Sequence, residues 1–192
     1  MLVGIDFGAK LAGTTAIAFI EKDNIGVLQT QKKQDADIFL LNWLQTHKPA
    51  IIGIDAPLSL PQIYVNSSVE ADFFYRKADK LLGAMSPLFL GGLTARAMQL
   101  KYQVLQIYQP IFLEVYPAAL AQKWTLYEKG YRKEISQIHI VAQIIQKEIP
   151  FLLPSLQNWH QIDAILAFCT TFRYQNGLAE GFGEAQEGIV WV

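Results

Sequence analysis

The chain has 192 residues and a formal net charge of −1; it is 52% hydrophobic and only 17% charged, enough apolar material for one sizeable core. The balanced charge excludes a strongly basic nucleic-acid coat, whose binding rests on neutralising phosphates, and no apolar run approaches the ~20 residues of a membrane span. The single Cys169 excludes an internal disulfide and a cysteine-based zinc site, and Asp6 stands where a signal peptide would have its apolar centre. A cytoplasmic protein with no membrane partner is expected, with Cys169 as a buried thiol.

Residues 2–6 read as a buried strand running into Gly8. Residues 14–20 and 25–30 are β-rich runs on either side of the turn-like Lys22-Asp23-Asn24, so the three predict an antiparallel meander. Asp35 or Asp37 is expected to cap a helix through Thr46, with Ile38, Leu41 and Leu44 or Trp43 at helical spacing and Pro49 as the stop. Residues 51–55 form a second buried strand ended by Pro57. Helical patterns follow at 69–82 and at 93–107, the second preceded by the breakers Ser86-Pro87 and Gly91-Gly92. Residues 112–116 read as a fifth strand closed by Pro117. Residues 135–149 carry Ile135, Ile138, Val141 or Ala142, and Ile145 on one stripe, which marks an amphipathic helix. A last long helix spans 159–174, and 188–192 offers a terminal strand. Without repeats or linkers, residues 1–192 are expected to form a single α/β domain.

Acidic residues interrupt the most apolar segments. Asp6 ends the first strand in Gly4-Ile5-Asp6, and Asp55 ends another in Gly53-Ile54-Asp55. A charge there is costly to bury unless paired or bound to metal. If the two strands are parallel neighbours, both carboxylates emerge beyond the same sheet edge, where open α/β sheets place their sites. They would repel there, and a divalent cation removes the conflict; all-oxygen ligands suit Mg²⁺ or Mn²⁺. Asp163 lies early in the last helix, with His160 three residues before it on the same face. Asp163 reads as a third ligand, and His160 as a ligand or a proton-transfer group. Glu114, inside an apolar strand, is a metal ligand, a partner of Arg or Lys, or a residue on a solvated face. Asp79 and Glu70 share a helix with Arg76, Lys77 and Lys80, where surface pairs are worth little. Glu187 either guards the rim or belongs to the tail. Between Arg76 and Lys133 there are nine Lys or Arg against three Asp or Glu, an anion-facing bias in which Lys123, Lys129 and Arg132 hold phosphates or simply end solvated helices. Tyr64, Phe73, Phe74 and Tyr75 either stack on bases or pack.

Several of these stretches together resemble a known family. Gly-Ile-Asp-Phe-Gly with Gly13-Thr14-Thr15, Gly-Ile-Asp-Ala-Pro-Leu at 53–58, Arg76 to Asp79, Glu114-Val115-Tyr116-Pro117-Ala118, Lys123, residues 130–132, His160 to Ala164 and Glu187-Gly188-Ile189 are similar to the predicted nucleases of RNase H-like (ribonuclease H-like) fold catalogued as domain of unknown function 429. The likeness runs over nearly the whole chain. Asp6, Asp55, His160 and Asp163 also resemble in turn the site positions of RuvC-type Holliday-junction resolvases, with Asp55 where those enzymes usually carry Glu. The resemblance implies a five-stranded mixed sheet, three antiparallel strands and then parallel ones, flanked by helices. It also implies a Mg²⁺- or Mn²⁺-dependent nuclease acting on nucleic acid through two cations roughly 3.5–4 Å apart. Asp6 would bridge them and Asp55 and Asp163 would complete their spheres, with Glu114 in reserve. An acid from the first helix, common in such enzymes, has no clear candidate. Two other readings stay open: a non-catalytic binding or scaffold protein of the same fold, and an ATP-using phosphotransferase whose phosphate loops share Gly-Ile-Asp-x-Gly. The oligomeric state is left open.

Overall fold

Short apolar runs broken by turn residues set the course of the chain, and the computed structural model describes residues 1–66 and 72–192 of it. Strand β1 (Leu2–Asp6) is buried throughout. It pairs antiparallel with β2 (Ala16–Glu21), which turns through a left-handed Lys22 into β3 (Asn24–Gln29). Helix α1 (Ala36–His47) starts at Asp35, whose carboxylate accepts the amides of Asp37 and Ile38 at 3.0 and 3.2 Å. Strand β4 (Ile51–Asp55) then lies parallel to β1, with Gly4 opposite Gly53 and Asp6 opposite Asp55. After α2 (Lys77–Leu82), α3 (Pro87–Leu90) and α4 (Gly92–Leu105) comes β5 (Ile111–Val115), parallel to β4. Helices α5 (Pro117–Lys123), α6 (Ile138–Glu148) and α7 (Trp159–Gln175) precede the hairpin of β6 (Gly181–Glu184) and β7 (Gly188–Trp191). The sheet order is β3-β2-β1-β4-β5-β7-β6.

The expected meander and parallel strands are present, but among the described residues the sheet has seven strands where five were expected. The terminal strand enters as β7, parallel to β5, and brings β6 with it as an outer antiparallel partner. The helix expected over 69–82 is helical in its described part only from Lys77. Ahead of it the Asp72 carboxylate takes the amides of Phe74 and Tyr75 at 2.7 and 3.0 Å, which bends the chain instead of winding it. The beginning of that segment, with Glu70, lies outside the described residues. On α1 the buried stripe is Ala36, Leu40, Trp43 and Leu44, while Ile38 is exposed; on α6 it is Ile138, Val141 and Ile145, with Ile135 exposed just before the helix. Among the described residues, no helix is long and apolar enough to cross a membrane.

Strand periodicity sorts the side chains into two cores. Val3, Ile5, Ile52 and Ile54 face α1 and α4, packing on Leu40, Leu44, Ala97 and Leu100. Leu2, Leu113 and Val115 belong to the opposite layer, with Ile162, Ile165 and Phe168 of α7. Gly4 and Gly53 also point toward α7, and they let the helix backbone rest on the strands. A Cβ at Gly4 would fall 2.0 Å from the Phe168 amide nitrogen and 2.5 Å from the Ala164 carbonyl; one at Gly53 would fall 2.1 Å from the Thr171 hydroxyl. Gly4→Ala is therefore expected to lift α7 and cost about 2–4 kcal/mol of unfolding free energy in a urea titration. A loss below about 0.5 kcal/mol would show that the helix does not need this approach.

Candidate functional site

Because residues two apart share a strand face, the glycines that admit α7 determine where Asp6 and Asp55 point: toward the first turns of that helix. Asn158 caps α7 by accepting the Gln161 amide at 3.2 Å. The next residues deliver His160 and Asp163 to the carboxyl ends of β1 and β4. His160 Nδ1 lies 2.8 Å from Asp6 Oδ2. The Asp163 carboxylate is buried, takes the Tyr131 hydroxyl on one oxygen, and pairs with Arg132 on the other, Nη2 at 2.6 Å and Nε at 3.2 Å. Arg132 reaches inward from a left-handed backbone position, φ 58°, and its guanidinium also lies against the Tyr131 ring. The Asp55 carboxylate accepts no hydrogen bond from any described residue.

The electrostatics report the same convergence. Burial pushes the Asp6 carboxyl up to about 6; the His160 hydrogen bond opposes this and the Asp163 charge adds to it. Asp55 is held well above the ordinary carboxylate range, first by desolvation and then by the charges of Asp6 and Asp163. Asp163 is also raised by burial, against the pull of Arg132 and Tyr131. His160 is raised mainly by its hydrogen bond to Asp6. These are three acids that gain little from being ionised together.

A folded-state pKa above the unfolded value contributes stability at low pH and loses it as pH rises through the folded value. Asp55→Asn is therefore expected to raise the thermal midpoint of the metal-free protein at pH 7.5 by ~2–4 °C, on the order of 1 kcal/mol. The advantage should shrink toward pH 4, where both versions are neutral. A lower midpoint at pH 7.5 would mean that Asp55 is satisfied in a way that the pair geometry does not provide.

The structure thus brings Asp6, Asp55, His160, Asp163 and Arg132 together. It does not bring Lys123 or Lys129: Lys123 pairs with Glu180, and Lys129 is exposed at the end of a short 3₁₀ turn. Of the three roles open to Glu114, it has the pair with arginine. Its oxygens take Arg76 Nη1 and Nη2 at 2.8 and 2.6 Å and the Leu58 amide at 2.8 Å, so they are committed to Arg76 and Leu58, which counts against the expected role of reserve ligand. Arg76 and Asp79, expected as surface pairs, are both 1% exposed and form a buried clamp. Glu187 is neither rim nor loose tail: it is buried and accepts the amides of Gln62 and Lys77 at 3.1 and 2.8 Å. The acids of α1 stay out of the site, since Asp35 caps and Asp37 pairs with Arg96 at 2.7 Å. Arg96 also donates to the Gly8 carbonyl at 3.1 Å and covers the Phe7 ring, bracing the exit of β1.

No family model matches the chain, and no curated protein and no solved structure matches it either. The site must be judged on its own chemistry. Among the described residues, no group of three or more His, Cys, Asp or Glu side chains is placed so that it could hold a metal ion. The Asp6–Asp55 pair nevertheless suits a hard divalent cation: two oxygen donors in register, both with raised pKa, one of them without a hydrogen-bond donor. Asp163 is the member whose charge is already met by Arg132.

Proposed function

We propose that the chain is an RNase H-like hydrolase that cleaves phosphodiester bonds in nucleic acid with Mg²⁺ or Mn²⁺, akin to the predicted nuclease family it resembles. The observation that carries this reading is the register of β1 on β4, which sets Asp6 beside Asp55 on one face at the carboxyl end of two parallel strands. The strand order β3-β2-β1-β4-β5, antiparallel and then parallel, supports the fold assignment, with the β6–β7 hairpin as an addition.

Asp6 and Asp55, joined by Asp163, would hold the ions, whose charge when bound polarises the phosphodiester and the attacking water. His160 touches Asp6 while 42% of its side chain stays exposed, so it is placed to pass a proton between the site and solvent. Arg132 has a half-exposed side chain, and its Nη1 donates to no described residue, which leaves it available to a phosphate oxygen. One observation favours a non-catalytic binding protein of the same fold instead: the Asp163–Arg132 pair, which neutralises a prospective ligand.

Calorimetric titration of the whole chain with Mn²⁺, alongside cleavage assays on mixed single- and double-stranded DNA and RNA, separates the two. Saturable Mn²⁺ binding with ion-dependent cleavage is the expected result. A chain that binds no Mn²⁺ and cuts nothing is the binding protein.

A further inference from the structure

Beside Asp6 and Asp55 opens a hollow of about 260 Å³, just below the ~300–1,000 Å³ of drug-sized ligand clefts. Its walls are mostly apolar: Phe7 from the end of β1, Ala84 and Met85 after α2, Leu90 and Leu93 from α3 and α4, and Tyr116 after β5. Asp6 and Asp55 belong to its lining, so a phosphoester held at their carboxylates lies at the edge of the hollow, with one substituent in reach of it.

The polar groups of the lining say what that substituent is not. Arg76 is the lining cation, and all five of its N–H groups are used: Nε and Nη2 on Asp79 at 3.1 and 2.6 Å, Nη1 on Ser59 and Glu114 at 2.8 Å each, and Nη2 again on Glu114 at 2.6 Å. Among the described residues, the other charged lining groups are the carboxylates Asp6, Asp55, Asp79 and Glu114. A further phosphate would meet acids and no free donor from Arg76, so a continuing sugar-phosphate strand has no welcome there. An uncharged, flat, apolar-faced group does, against a wall of Met85, Leu90, Leu93 and Tyr116.

We infer that this hollow is a nucleobase subsite, which takes the base attached to the phosphodiester under attack, unstacked from its neighbours. The inference rests on the phosphodiesterase reading above and adds its substrate class: a nucleotide unit presented singly, at a strand end or flipped out, rather than a stacked duplex step.

The test uses the whole metal-free chain and two probes without phosphate, adenosine and thymidine, followed by nuclear magnetic resonance or calorimetry. Saturable binding is expected, weakened roughly ten- to a hundredfold by Ala84→Trp, which fills the hollow. Met85→Trp blocks the mouth from a position already 60% exposed, so folding is not at stake in that variant. No nucleoside binding to the wild-type chain, or binding untouched in both variants, overturns the inference. A second arm uses oligonucleotides with one abasic residue. Cleavage at that residue should fall at least about tenfold: at an internal residue if bases are flipped out of a strand, only at a terminal one if the enzyme works from ends. Equal cleavage with and without the base overturns the subsite and leaves the nuclease reading standing. Nucleoside binding without ion-dependent cleavage of any strand supports the subsite and overturns the nuclease reading.

Discussion

Asp6→Asn is expected to lower ion-dependent cleavage on the order of a thousandfold while leaving the fold at least as stable. The amide has the shape of the carboxylate and still offers His160 an oxygen at the place where Nδ1 now lies 2.8 Å from Oδ2. What it removes is the negative charge opposite Asp55, which cation binding would need and the metal-free chain does not favour, since burial already pushes the Asp6 carboxyl up to about 6. Lost function and retained or raised thermal midpoint should therefore travel together, the signature of a site kept at the expense of stability. Glu21→Gln, at the exposed end of β2, should change neither. Substantial cleavage surviving in Asp6→Asn would remove Asp6 from the chemistry, and with it the proposed activity. Cleavage lost together with the thermal transition would point to a structural role.

The largest stability effect is expected from Arg76→Ala. The guanidinium, 1% exposed, lies between Asp79, also 1% exposed, and Glu114, whose side chain is 8% exposed. Burial works against its charge and the two carboxylates outweigh it, so Arg76 stays protonated. Its removal leaves two buried acids facing each other without a cation, a change that typically costs 3–5 kcal/mol. For a chain of this length that lowers the thermal midpoint by roughly 6–20 °C. Arg76→Lys should lose much of the same amount, because an ammonium cannot serve both carboxylates with paired contacts. Restoring neutrality with Asp79→Asn and Glu114→Gln on the Arg76→Ala background should recover part of the loss. A midpoint within about 2 °C of wild type for Arg76→Ala would mean that the clamp is not closed in solution.

What the sequence made legible follows from how far each signal reaches along the chain. The meander, β4, β5 and the last helix are announced by local runs of apolar residues, and the three aspartates stand out because each interrupts such a run. The clamp is not local: Arg76 meets Glu114 from 38 positions away, and its pairing with Asp79 looks like any surface pair until both are seen buried. Tyr131 falls within residues 130–132 of the family likeness, yet nothing in the pattern aims its hydroxyl at Asp163, 32 positions on. Strand β6 escaped because Gly-Phe-Gly-Glu has two glycines and no alternating apolar face, and it is held by its pairing to β7. The glycines of the two Gly-Ile-Asp segments were visible from the start; their reason was not, since it depends on α7.

The closeness of α7 to β1 bears on how the protein is made. His160 and Asp6 are 154 positions apart, and the Thr171 hydroxyl lies 3.3 Å from the Val3 carbonyl across 168. Contacts of such high order close slowly, after shorter-range elements have formed. A nascent or partly folded chain can possess the meander and β4 and still lack the histidine and third aspartate. The docking of one helix on two glycines makes assembly of the carboxylate cluster a late event, reached only by molecules whose folding is complete.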